Sequence, residues 1–219
     1  MNRILVTGAG GFIGTRLLSR LCSEPVAVRA VVRRSGVESP DGNIEWMQAE
    51  LAGDKGCLTA LCRDCESIVH LAGLAHNPGS NASRYRLHNT EVTRRLAEAA
   101  ASAGVNHFLF MSTAKVYGEG FKPVNGDQIY NDACRPDPKD EYSASKLKAE
   151  NALLEIAERT GMRCTILRPP LIYGPGVRAN FLRLMRAVEK GTPLPLGSVV
   201  NRRSLTSSHG QRWQGLWRL

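Results

Sequence analysis

Ile4-Leu5-Val6-Thr7-Gly8-Ala9-Gly10-Gly11-Phe12-Ile13-Gly14 lies near the start of a 219-residue chain, and its reading decides the fold. Ile4-Leu5-Val6 is a short buried-strand signal that stops at Thr7-Gly8. From Phe12 the pattern turns helical, with Ile13, Leu17, Leu18 and Leu21 on one face. Gly8, Gly11 and Gly14 punctuate the turn between the two. A missing Cβ permits a tight turn, lets backbone approach a pyrophosphate, and lets helix and strand pack closely. The helix N-terminus then offers unpaired N–H groups to an anion. A glycine pattern alone is weak, but between a strand and a helix it predicts a dinucleotide-binding turn.

Outward from that turn, apolar runs alternate with helical spacing. Further strands are predicted over 26–32, 44–47, 67–71, 107–111 and 162–167, the last stopped by Pro169-Pro170. Helices are predicted over 55–62, 85–103, 141–159 and 180–190. Strands alternating with helices imply βαβ units, hence an α/β fold with a Rossmann-type doubly wound parallel sheet. Ligands sit at the carboxyl ends of such strands. Residues 1–175 read as the dinucleotide-binding domain and 206–219 as an atypical tail.

Composition excludes several classes. Apolar residues make up 42% and charged residues 22%, an ordinary globular balance. No apolar run is long enough for a membrane helix. The N-terminus becomes glycine-rich too early for a signal peptide, which predicts a cytoplasmic protein with reduced thiols. Cys62-Arg63-Asp64-Cys65 is a lone CxxC without a second pair or histidine at finger spacing, so no metal site is expected. Of the net charge of +9, four units fall within 202–219, where Arg202, Arg203, Arg212 and Arg218 meet no acid. No basic stripe interleaves with aromatics, so nucleic acid is not an expected partner.

Two further places carry chemistry. An NAD site ordinarily has an acid about 20 residues after the glycines, on the ribose 2′-hydroxyl. Here Val31-Val32 is followed by Arg33-Arg34. Arg33 can pair with a 2′-phosphate, which points to NADP or to use of both cofactors; a solvated basic loop is the equal alternative. Tyr142-Ser143-Ala144-Ser145-Lys146 places a phenol and an amine one helical turn apart. A nearby ammonium favours the phenolate, so Tyr142 is the candidate acid–base group and Lys146 its tuner. Ser112-Thr113 follows a predicted strand and offers hydroxyls at its carboxyl end, for a substrate or for turn backbone.

With these motifs in order, the chain resembles the extended short-chain dehydrogenase/reductase family, in particular its nucleotide-sugar epimerases and dehydratases. The resemblance covers residues 3 to about 205. It rests on the glycine turn, His70-Leu71-Ala72-Gly73, Asn89 through Thr93, Ser112-Thr113-Ala114-Lys115-Val116-Tyr117-Gly118, Tyr142 with Lys146, and Arg168-Pro169-Pro170-Leu171-Ile172-Tyr173-Gly174-Pro175-Gly176. It implies that Gly8, Gly11, Phe12, Ile13 and Gly14 contact NAD or NADP, with Glu50 and Leu51 along the adenine. Ala72, Gly73 and Lys146 would border the rest of the cofactor. Tyr142, Lys146 and Thr113 would be catalytic, and Thr113, Asn180, Phe181 and Arg202 would meet a UDP-sugar. Residues 176–205 lie where the resemblance implies the start of a substrate lobe. Family analogy also implies a homodimer formed through helices.

Departures narrow the reading. The family's dehydratases carry an Asp-Glu pair after the threonine; Ala114-Lys115 stands there, which disfavours dehydration. Leu171 replaces an asparagine usual in galactose-type epimerases. The segments 191–199 and 201–205 look like the polysaccharide-biosynthesis branch. The family runs about 100 residues longer, a second-domain size. The pattern ends after Leu205, and the tail has no acids and two of the three tryptophans. That predicts a truncated or frame-shifted reading frame, keeping cofactor contacts but lacking a wall of the substrate pocket. The expected activity is C4 epimerisation of a UDP-hexose. The alternatives are a 4-ketosugar-nucleotide reductase or a non-catalytic dinucleotide-binding remnant.

Overall fold

The computed structural model describes residues 3–33, 43–53, 55–75, 80–118, 133–177, 180–192 and 205–207. The chain divides into two compact units, Met1–Arg168 and Pro169–Leu219. The first unit carries strands β1 (Arg3–Thr7), β2 (Ala27–Val32), β3 (Ile44–Gln48), β4 (Ser67–His70), β5 (His107–Met111) and β6 (Arg163–Leu167). They pair in the order β3-β2-β1-β4-β5-β6, every pairing parallel. The order reverses between β1 and β4, the place where such sheets open a crevice for ligands.

Helices α1 (Phe12–Leu21), α2 (Lys55–Cys62), α4 (Val92–Ser102) and α5 (Glu141–Thr160) provide the crossovers. The central strands are buried along their length, as a sheet covered on both faces requires. Leu5, Ile68, Phe108 and Phe110 form one core with Leu96, Ala97 and Ala100 of α4 and Leu153 and Ile156 of α5. The alanines of α4 let that helix lie close to the sheet. Asp140 caps α5 in a reciprocal box with Ser143, and Gly161 closes it in the left-handed region at φ 75°.

The predicted helix over 85–103 is built differently. A short helix α3 (Ala82–Tyr85) runs into a π-helical turn, Arg86–Glu91, before α4 begins. The extra residue in that turn rotates Asn89 and Thr90 into buried positions.

In the second unit, β7 (Leu171–Tyr173) and β8 (Leu205–Ser207) pair in parallel, and α6 spans Asn180–Glu189. Leu184, Met185 and Val188 of α6 are exposed. Both strands escaped the sequence reading. Each is only three residues long, and β7 follows two prolines. Thr206 and Ser207, read as part of an unpacked tail, belong to a strand.

The glycine turn shows how tightly the first unit is built. Gly8 has φ +70°, and a Cβ there would stand 2.7 Å from the Ala72 nitrogen. At Gly14 a Cβ would meet the Gly8 carbonyl oxygen and stand 2.6 Å from that of Ala9. Gly14→Ala is therefore expected to destabilise the unit by about 2 kcal/mol, read as a lower denaturation midpoint. An unchanged midpoint would show that the turn can yield.

Candidate active site

The glycine turn leaves β1 at the sheet's carboxyl edge. Gly11 N–H donates to the Gly8 carbonyl at 2.9 Å, and Ala9 N–H donates to Val31 of β2 at 3.2 Å. Gly11 caps α1 without a side-chain bond. The first-turn N–H groups near Phe12 and Ile13 thus face the crevice uncapped by a side chain. Arg33 is exposed just past β2, while past β3 Glu50 is exposed and Leu51 buried. These positions line the edge where a dinucleotide would lie, and the glycines hold open a cradle that side chains would fill.

Close contacts lead from this turn to the Tyr–Lys helix. Gly8 abuts Ala72, and a Cβ on Gly73 would stand 3.2 Å from Lys146 Nζ and 3.0 Å from Asn89 Oδ1. Lys146 is buried. Its ammonium donates to the Met111 carbonyl at 2.8 Å and lies 4.6 Å from the Phe110 ring centroid. Burial pushes its pKa down to about 8, with the Glu150 carboxylate opposing. Tyr142, one turn earlier, is half-buried. It packs edge-on against Tyr85 at 6.0 Å between centroids and shares a hydrogen bond with Thr113. The glycine turn, Gly73, Lys146, Tyr142 and Thr113 are therefore one continuous constellation.

The electrostatics differ from the expectation. Burial pushes the Tyr142 phenol up to about 12; the bond to Thr113 opposes the rise, while Asp140 and Tyr85 add to it. The Lys146 amine, one turn along, donates to Met111 on β5, and burial dominates the state of the phenol. In the protein alone Tyr142 is a protonated phenol.

The motifs around His70 and Asn89 did not disclose their hydrogen-bond partners. His70 is buried and neutral, its pKa pushed down to about 3 by burial and by Lys146. Thr93 donates its hydroxyl hydrogen to the Asn89 carbonyl at 2.6 Å. Its oxygen therefore accepts from His70 Nε2 at 3.0 Å. That leaves His70 Nδ1 to accept from Thr7 at 2.6 Å. The imidazole thus ties β1 to α4 in one defined tautomer. Asn89 Oδ1 accepts from Leu74 N–H at 2.7 Å. Its amide donates to the Leu74 carbonyl at 3.2 Å and to Ser145 Oγ at 3.0 Å. Thr90 donates to the Ser145 carbonyl at 2.9 Å. The π-turn thus pins α5 to the loop beyond β4. His70 and Asn89, each within a segment that carries the family resemblance, serve here to join neighbouring elements.

Lys115, where the dehydratase pattern has an acid, forms a 2.5 Å ion pair with Asp140. Thr113 caps the 3₁₀ turn Ala114–Tyr117 by accepting from Lys115 N–H. The hydroxyl strand end and the start of α5 are thereby strapped together. Asn180 and Phe181 begin α6 in the second unit, and Arg202 lies outside the described residues.

A model of the NAD dependent epimerase/dehydratase family matches residues 4–208. The UDP-glucose 4-epimerase of Vibrio cholerae is 37% identical over 93% of this chain, and the chain spans 62% of that protein's length. MoeE5, solved in complex with UDP-glucose and NAD, superposes with a TM-score of 0.79 and is 31% identical, over 94% of this chain and 68% of its own. The UDP-glucuronic acid 4-epimerase of Bacillus cereus, solved with UDP-glucuronic acid and NAD, gives a TM-score of 0.77 at 26% identity, covering 94% and 69% of the two chains.

Asp140 offers a direct check on the strap. Burial would raise its carboxyl, but hydrogen bonds from Lys115 and Ser143 outweigh burial and hold it at about 2, below its ordinary 3.8. A folded-state pKa below the unfolded one stabilises above about pH 4, and that gain is lost as pH falls toward 2. Asp140→Asn keeps a capping side chain but loses the charge. It is expected to lower Tm by about 3 °C at pH 7, with the gap to wild type narrowing from pH 4 downward. A gap independent of pH would refute the ion-pair account.

Proposed function

Because the chain belongs to the NAD dependent epimerase/dehydratase family, we propose that it handles the proton at C4 of a UDP-hexose in an epimerase reaction. The observation that carries this is the Tyr142–Thr113 hydrogen bond on a helix whose Lys146 lies beside Gly73. Gly8, Gly11, Phe12, Ile13 and Gly14 would hold the cofactor diphosphate, Glu50 and Leu51 would lie along the adenine, and Ala72, Gly73 and Lys146 would hold the nicotinamide ribose. NAD, when bound, supplies the hydride acceptor and donor and, in its oxidised form, a positive charge near the phenol.

The protein's own work is proton handling and orientation. Tyr142 takes the proton from the sugar 4-hydroxyl and returns it, and Thr113 shares that hydrogen bond and fixes its direction. A phenol held near 12 by burial is a poor base at neutral pH, so the acidifying charges have to gather before it acts. Lys146 is the protein's contribution to them. Ala114 and Lys115 carry no carboxylate to remove a C5 proton, which favours epimerisation over dehydration. Asn180, Phe181 and Arg202 are the residues proposed for the uridine and diphosphate side.

Tyr142→Phe is expected to cut turnover of UDP-glucose at least about a hundredfold while NAD affinity is kept. Product analysis beside a binding titration reads both. Substantial turnover in the variant would defeat the assignment. Assays with UDP-N-acetylglucosamine and a 4-keto analogue separate an epimerase from a reductase, and dinucleotide uptake without any product would mean a binding module.

Arg33 is proposed to select among cofactors. Arg33→Ala should weaken NADP about tenfold and leave NAD unchanged. Equal losses for both would remove the 2′-phosphate argument.

A further inference from the structure

Glu150 is fully buried, one turn beyond Lys146 on the same face of α5. Arg168, just past β6, grips it from one side. Nη2 lies 2.6 Å from Oε2, and Nε lies 3.1 Å from each carboxylate oxygen. The Ser112 hydroxyl, adjacent to Thr113, donates to Oε1. Arg168 Nη1 also donates to the Tyr117 hydroxyl at 2.8 Å, and its guanidinium lies 5.1 Å from that ring's centroid. One carboxylate thus joins the end of β5, the 3₁₀ turn, α5 and the end of β6, the elements that carry Thr113, Tyr142 and Lys146.

A buried ion pair is weak evidence of a stabilising role, since desolvation offsets much of its attraction. Its placement beside a second buried cation is more informative. Around Lys146, the Met111 carbonyl and the Phe110 ring supply partial charge only. His70, facing from β4, is neutral. Tyr142 on α5 is a protonated phenol, and Cys164 on β6 is a thiol raised to about 11. Among the described residues, Glu150 supplies the full negative charge acting on this amine.

We propose that Glu150 and Arg168 are a positioning pair that sets the charge of Lys146, with Glu150 keeping the buried amine protonated and Arg168 limiting how much of that negative charge reaches it. The purpose of the pair rests on the acid–base reading of Tyr142 and Lys146. Its test does not, because the amine can be titrated without turnover.

The experiment follows the Cε resonance of Lys146 against pH in the full chain carrying 13C-lysine, assigned by its loss in Lys146→Met. Glu150→Gln is expected to lower the titration midpoint by about one unit, tenfold in the ionisation constant. Arg168→Met is expected to raise it. Mere loosening of the fold would wet the amine and move both variants upward, toward the ordinary lysine value of about 10.4. Opposite shifts therefore support the proposal, and an unchanged or raised midpoint in Glu150→Gln overturns it. If Glu150→Gln does not fold, the Glu150→Gln/Arg168→Met double variant removes both buried charges and strands neither. Its midpoint should lie below that of Arg168→Met, and equality of the two would overturn the proposal. Absence of sugar turnover in the unmutated chain, with these shifts present, would count against the epimerase reading alone.

Discussion

At the carboxyl edge of the sheet, the turn after β1 and the loop after β4 approach more closely than any side chain would allow. A Cβ on Gly8 would lie within 3 Å of Ala72 backbone. That approach places the amine of Lys146 against the same loop that borders the glycine turn. Both halves of the site therefore depend on backbone contact at the point where strand order reverses, and side chains at those glycines would separate them.

Around that contact the polar groups are arranged to leave little freedom. His70 bridges β1 and α4 through two threonines. Asn89 bridges the Leu74 loop and Ser145. Both are buried, where an unpaired polar group would be costly, and each finds its partners only in one arrangement. The π-turn at Arg86–Glu91 brings Asn89 and Thr90 inward. A regular helix over the same stretch would rotate them relative to their partners.

Charge is handled in the same manner. Lys146 and Glu150 are both buried on α5, and Arg168 grips the carboxylate from the far side. Nearer the surface, Lys115 and Asp140 strap the Thr113 turn to the helix start. Both devices join segments distant in the chain, and both converge on the hydrogen bond between Tyr142 and Thr113. That bond is where proton chemistry is proposed.

Much of this architecture was legible in the residues. Gly8, Gly11 and Gly14 between an apolar run and a helical stripe predicted the βα turn, because backbone geometry is local. The spacing of Tyr142 and Lys146 predicted a shared helix face for the same reason. The two short strands β7 and β8 left no readable period. Glu150, Arg168, His70 and Asp140 carried no signal as partners, because their roles arise from pairing across the sheet. The sequence by itself determined the order of the six sheet strands and the helices between them, the glycine turn and the spacing of the phenol and amine. Tertiary structure alone decided that burial pushes the phenol further from ionisation, that the amine is held by Met111 with Glu150 opposing the effect of its burial, and that a π-turn locks the helix that carries them. Ionisation depends on burial and on charges brought together by folding, and neither is encoded within one turn of chain.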